Sequence, residues 1–143
     1  MYKNILLPID LDDESCWKRA LPDAVKLCEL TGATLHALTV VPDFGMSIVS
    51  QYFPADYKRE AMKGFLEQLR SRLAAEHVPD SINVQHIVGE GSVYDVIVKM
   101  AEQVHADLIV MGSHRPEIAD YLLGHNAERV VRHAGCSVLV ARG

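Results

Sequence analysis

What most constrains this chain is an alternation of two hydrophobic periods. Short runs apolar on both faces, residues 3–10 (KNILLPID), 34–41 (TLHALTVV), 107–112 (DLIVMG) and 137–141 (SVLVA), are separated by longer stretches in which apolar residues recur every three or four positions. Doubly apolar runs of this length are what buried parallel strands look like, although periodicity alone does not separate them from buried helix. Residues 82–88 (INVQHIV) read as a weaker fifth strand. Between the runs, Trp17, Ala20, Leu21, Ala24, Val25 and Cys28 share one helical stripe, as do Met62, Phe65, Leu66, Leu69 and Leu73, and again Val93, Val96, Ile97, Met100, Ala101 and Val104. Each stripe is read as core facing a sheet. Pro22 lacks an N–H and is expected to kink the first helix or delay its start. Gly32 is expected to close that helix. Gly89 and Gly91 are expected to form the turn from the third strand into the third helix, where Ser92 and Asp95 resemble a capping box. A last helix is expected over residues 126–133.

Strand and helix thus alternate four times and close on a strand. That order predicts right-handed crossovers and an α/β fold: a doubly wound, five-stranded parallel sheet with helices on both faces. The length of 143 residues fits one domain, 1–143, with no internal repeat, low-complexity tract or dividing linker. Residues 42–54, with Gly45 inside, exceed an ordinary connection and are expected to be a lid or a partner surface.

Composition narrows the function. Lys and Arg number 14 against 19 Asp and Glu, a net charge of −5, which counts against a nucleic-acid or anionic-membrane binder. Hydrophobic residues make up 49% and charged residues 23%, which excludes global disorder. No apolar run approaches the roughly 18 to 20 residues of a membrane span. The opening Met1-Tyr2-Lys3-Asn4 reaches Asp10 too soon for a secretory leader, so a soluble, cytoplasmic protein is expected. Cys16, Cys28 and Cys136 are an odd count without a C-x-x-C pair, and are expected to be buried, inert thiols.

In open α/β sheets ligands bind beyond the C-terminal ends of the strands, where strand order reverses. The residues just past the expected strands are Asp10 to Asp13, Val41 to Asp43, Gly89 to Ser92 and Gly112 to Arg115. The acids Asp10, Asp12 and Asp13 either cap the following helix, whose N-terminus favours anions, or place Asp10 against a ribose or a nucleotide-bound divalent ion. A phospho-acceptor receiver domain is rejected, because Val88-Gly89 and Ala141-Arg142 occupy the places of its acceptor Asp and its Lys. Gly112-Ser113-His114-Arg115-Pro116 and Leu122-Leu123-Gly124-His125-Asn126 form the most informative segment. Small residues there allow close backbone approach, Gly124 precedes a helix N-terminus suited to an anion, and Arg115 adds positive charge. Neither a G-x-x-x-x-G-K-[ST] loop nor an opening G-x-G-x-x-G is present. A zinc site from Asp10, His114 and His125 is a minor alternative. His36, His77, His86, His105 and His133 lack metal-ligand spacing, and Arg129 with Arg132 reads as a solvated helix face.

The opening Met1 to Asp10, the strand end Thr39-Val40-Val41-Pro42, the turn Gly89-Glu90-Gly91-Ser92, and the closing run from Met111-Gly112-Ser113-His114 through Ala134-Gly135-Cys136-Ser137-Val138-Leu139-Val140 together resemble the universal stress protein family. The resemblance covers the whole chain in order. Ser113 to Pro116 and Leu122 to Gly124 further resemble its small, stand-alone enterobacterial subgroup. The resemblance implies strand order 3-2-1-4-5, a homodimer paired through the last strand, residues 137–141, and in one branch an ATP or AMP site, with Mg where ATP is bound. The implied nucleotide-binding set is Pro8, Ile9, Asp10, Val40, Met111, Gly112, His114, Arg115, Gly124, His125 and Asn126. In it Asp10 meets ribose or metal, Val40 offers backbone groups to adenine, and Gly112, Gly124, His125 and Asn126 line the phosphates. The ATP-binding branch carries G-x2-G-x9-G-[ST]. Here Gly112 matches its first glycine, Arg115 stands in place of the second, eight residues separate Arg115 from Gly124, and His125 replaces the final Ser or Thr. The implied role is a stress-response regulatory module with a protein partner, no catalytic residue, and slow ATP hydrolysis at most. The alternative is the same fold with a closed cleft, acting through protein contacts alone.

Overall fold

The computed structural model describes residues 1–41, 55–113 and 125–142. Five parallel strands form one sheet: β1 (Asn4–Pro8), β2 (Thr34–Val41), β3 (Val84–Glu90), β4 (Leu108–Gly112) and β5 (Ser137–Ala141), in the order β3-β2-β1-β4-β5. The helices are α1 (Ala20–Thr31), α2 (Ala55–Ala74), α3 (Val93–Gln103) and α4 (His125–His133), with a 3-10 turn over Glu14–Cys16. The doubly wound fold expected from the alternation is therefore the observed one.

Side-chain alternation on the strands builds two cores. Ile5, Leu7, Leu35 and Ala37 face Trp17, Leu21, Ala24, Cys28, Leu69 and Leu73 of the α1 and α2 layer. Leu6, Leu38, Ile109 and Met111 face Ile97, Ala101, Ala127 and Val130 of the α3 and α4 layer. Burying each large aliphatic side chain contributes roughly 1.5–3 kcal/mol, so β1, with Ile5, Leu6 and Leu7 all fully buried, is the spine of the molecule. No helix among the described residues is long and apolar enough to cross a membrane.

Several local expectations are corrected. The first stripe begins at Trp17 and α1 only at Ala20, the later start that was one of the two effects expected of Pro22, which lies in the first turn, where a missing N–H costs nothing. Gly32 does close α1, at φ 76°. The third strand runs from Val84 to Glu90, two residues later than expected, because its ladder with β2 pairs Leu35 with Val84 and continues to Val41 with Glu90. Gly89 consequently lies within the strand, and only Gly91, at φ 132°, belongs to the turn. Ser92 is the N-cap of α3 but makes no side-chain capping bond; Asp95 pairs instead with Lys99 at 3.0 Å. The stripes are not wholly core: Val93 is exposed, and Met62, Phe65 and Leu66 are half-buried. The last helix starts one residue early, at His125. Residues 42–54 lie outside the described residues.

Candidate functional site

The sheet splits where β1 and β4 meet. β1 is paired with β2 along its whole length, to Pro8 opposite Leu38, and β4 with β5 to Gly112 opposite Ala141. Between β1 and β4 the ladder holds only Ile5 opposite Leu108 and Leu6 opposite Ile109. The reason lies in Pro8. The Asn4 carbonyl accepts from the Asp107 N–H at 2.8 Å, whereas the Ile9 N–H donates to the Leu38 carbonyl at 2.7 Å. Backbone groups alternate in direction along a strand, so those of Asn4, Leu6 and Pro8 turn towards β4. The N–H that Pro8 lacks is the one that would have carried the ladder further. β1 and β4 are also the strands from which the chain winds in opposite directions, so this opening is the topological switch point.

Asp10 stands at its mouth. Ile9 is buried and Asp10 is exposed, so the chain leaves the sheet between them. The Asp10 carbonyl accepts the Trp17 indole N–H at 2.8 Å and the Asp13 N–H at 3.3 Å, and its Oδ1 accepts the Asp12 N–H at 2.9 Å. Asp13 caps the 3-10 turn by accepting the Ser15 N–H at 3.1 Å. The capping expectation is met only at the 3-10 turn, by Asp13; α1 itself has Arg19 at its N-cap and no side-chain capping bond, and Asp10 is exposed just past the end of β1. Glu14 meets Lys18 and Arg72, which offsets part of the local negative charge.

The opposite wall is β4. Met111 is buried, Gly112 ends the strand, and the Ser113 N–H donates to the Ala141 carbonyl at 2.9 Å. On the β2 side Val40 is half-buried, and the Val41 carbonyl accepts the Gly91 N–H at 3.0 Å. Pro8, Ile9, Asp10, Val40, Met111 and Gly112 therefore lie together along the C-terminal ends of β1, β2 and β4. Asn126 is half-buried in the first turn of α4. His114, Arg115 and Gly124, and the side chain of His125, lie outside the described residues.

The model of the universal stress protein family matches residues 1–142. The chain belongs to that family. Universal stress protein G of Escherichia coli O157:H7 is 34% identical over 144 residues, covering 99% of this chain and 100% of that protein. Among solved structures, a universal stress protein in complex with cAMP superposes with a TM-score of 0.66 at 24% identity, covering 99% of this chain and 97% of that one. The universal stress protein from Archaeoglobus fulgidus in complex with dAMP has a TM-score of 0.60 at 19% identity, over 98% of each chain.

Two features near the C-terminal ends of the strands went unread in the sequence. Trp17 was legible only as core, although a buried indole needs an acceptor for its N–H, and Asp10 lies seven positions before it. Glu90, at the end of β3, is bound by Lys58 of α2 at 3.0 Å. That pair joins positions too far apart in sequence for any local pattern to reveal. A depression of about 660 Å³ is lined by Leu11 and by Gly64, Gln68, Ser71 and Arg72 of α2. Two of the three thiols fit inert roles: burial pushes Cys28 up to about 11 and raises Cys136, which is only half-buried. The side chain of Cys16 lies outside the described residues.

Proposed function

We propose that this universal stress protein is a cytoplasmic regulatory module that binds ATP or AMP in the crevice between β1 and β4, works as a homodimer through β5, and is read by a protein partner. The observation that carries this reading is the opening made by Pro8, with the exposed Asp10 carboxylate on one side and the side-chain-free Gly112 on the other. An opening flanked by a glycine admits a ligand close to backbone, and a carboxylate at its mouth is a ribose acceptor. Proteins of the same fold solved with cAMP and with dAMP support an adenine nucleotide as the ligand class.

In this reading Pro8, Ile9, Val40 and Met111 form the floor and the adenine side. Gly112, His114, Arg115, Gly124, His125 and Asn126 form the phosphate side. Where magnesium accompanies ATP, Asp10 would be the residue to hold it, and the ion would supply charge neutralisation for the phosphates. The crevice reading assigns no catalytic residue.

Arg115 and His125 in place of the family's Gly and Ser or Thr, with a spacing shorter by one residue, favour a second reading, in which the triphosphate grip is closed and protein contacts carry the function. Heat release and chromatography of the purified protein distinguish the two. A co-purifying adenine nucleotide is expected. Its absence, together with unaltered behaviour of Asp10→Ala in every nucleotide assay, would leave the second reading standing.

A further inference from the structure

We propose that Trp17 is a positioning residue for Asp10 and, resting on the crevice reading above, for the nucleotide that Asp10 meets. Trp17 is the single tryptophan of the chain, and it is fully buried. Its indole N–H donates at 2.8 Å to the carbonyl of Asp10, the residue after Ile9, whose N–H makes the last bond from this strand to β2. The other donor to this carbonyl, the Asp13 N–H, is longer at 3.3 Å and belongs to the same exposed turn. The shorter of the two bonds to the Asp10 carbonyl thus comes from a side chain fixed in the core. The carboxylate is part of the same unit, since Oδ1 accepts the Asp12 N–H at 2.9 Å.

The ring is itself held from the far side. The Arg72 guanidinium of α2 lies over it, 5.3 Å from the ring centroid. Arg72 is also paired with Glu14, in the 3-10 turn directly after Asp13, and with Glu76 at 3.7 Å. Core packing, a cation from α2 and an ion pair to the turn therefore converge on one indole whose only hydrogen-bonding group points at Asp10. Supporting groups of this kind keep a ligand-contacting residue within the narrow geometry that binding requires. A tryptophan that merely filled space would contribute to stability and leave the carboxylate indifferent to its N–H.

Trp17→Phe keeps an aromatic ring and deletes the donor. Calorimetric titration with Mg-ATP of the wild type, Trp17→Phe, Asp10→Asn and the double variant forms a cycle. Trp17→Phe is expected to raise Kd about five- to ten-fold. In the Asp10→Asn background the same change is expected to shrink below about two-fold, because the residue acts through Asp10. An equal factor in both backgrounds, or none in either, overturns the proposal.

Should Trp17→Phe fail to fold, the wild type decides. Its one indole N–H resonance is expected to shift along the Mg-ATP titration with the calorimetric Kd, and an unmoved resonance at saturation overturns the proposal. Should the wild type bind no Mg-ATP, the crevice reading falls by itself, and ligand-free spectra of Trp17→Phe decide the positioning role. Displaced Asp12 and Asp13 amide resonances, both bonded to Asp10, uphold it, and undisturbed ones overturn it.

Discussion

His36 is a buried titratable side chain with half of its hydrogen-bonding capacity unused. On β2 it is only 9% exposed. Its Nε2 lies 2.9 Å from Asn4 Oδ1, an acceptor, so Nε2–H donates. Its Nδ1 is buried with no partner among the described residues. Protonation would place an N–H there with nothing to receive it, and burial accordingly lowers the His36 pKa from its ordinary 6.5. The folded-state value is thus below the unfolded one, and the unfolded chain takes up more protons below about pH 6.5. Stability from neutral His36 is present above that pH and lost as pH falls towards the folded value. The urea midpoint is expected to fall between about pH 7 and pH 5, and His36→Gln is expected to flatten that fall. The residual slope belongs to His86, lowered first by burial and then by Arg70. An unchanged slope in His36→Gln would place the titration elsewhere. At the mouth of the crevice, Asp10→Ala is expected to keep its circular dichroism and to raise the Kd for Mg-ATP about ten-fold or more, as loss of a charged hydrogen-bonding group does. Unaltered affinity would remove Asp10 from the site. Residue identity was legible here further than residue role. His77 and His105 show no metal-ligand spacing, and both are exposed, yet each also adopts φ 56° just past the end of α2 or α3. Backbone handedness of that kind leaves no mark in the identity of a histidine.

Gly89 governs how α3 sits on the sheet. A Cβ at this position would lie 2.5 Å from Val96 Cγ1 and 3.4 Å from Leu38 Cδ1. Valine is short and branched, so the contact is relieved only by moving the helix. Gly89→Ala is expected to cost about 1–3 kcal/mol in urea unfolding, with part of it recovered in Gly89→Ala/Val96→Ala. Equal stability of wild type and single variant would refute the close approach. In sequence, a glycine that permits close packing and one that permits a turn look the same, and the pair 89 and 91 contains one of each. The same limit explains Ser92 and Asp95: their spacing fits a capping box, but Lys99 competes for the carboxylate. The order of elements was fully legible, because strand and helix periods differ and each run is bounded. Their ends were less so, since β3 is set by its partner β2 and not by its own residues.

Across the whole molecule, the switch point is a consequence of strand order alone, and the residues expected just past each apolar run fall close to the ends of β1, β2 and β4, although Val41 and Gly112 still belong to their strands and β1 stops already at Pro8. What the sequence hid is the split in the sheet. It depends on which way the Pro8 amide would have pointed, and that is a property of register. The outer side of β5 obeys the same logic. The Ser113 N–H bonds the Ala141 carbonyl, so the backbone of Ala141 faces β4 and that of Val140 faces away. No described strand pairs with that outer side. Parallel-sheet edges left bare invite pairing, and the dimer proposed above would cover this one. Val140→Pro removes an outward N–H without touching the β4 ladder. It is expected to sediment as a monomer at concentrations where the wild type is a dimer, with unchanged circular dichroism. A monomeric wild type would refute pairing through β5. The central claim, an adenine nucleotide in the crevice, is met most directly by calorimetric titration of the wild-type protein with Mg-ATP and with AMP. Saturable heat for at least one of them, with a Kd about ten-fold or more higher in Asp10→Ala, is the expected result; no heat with either at millimolar concentration would contradict it.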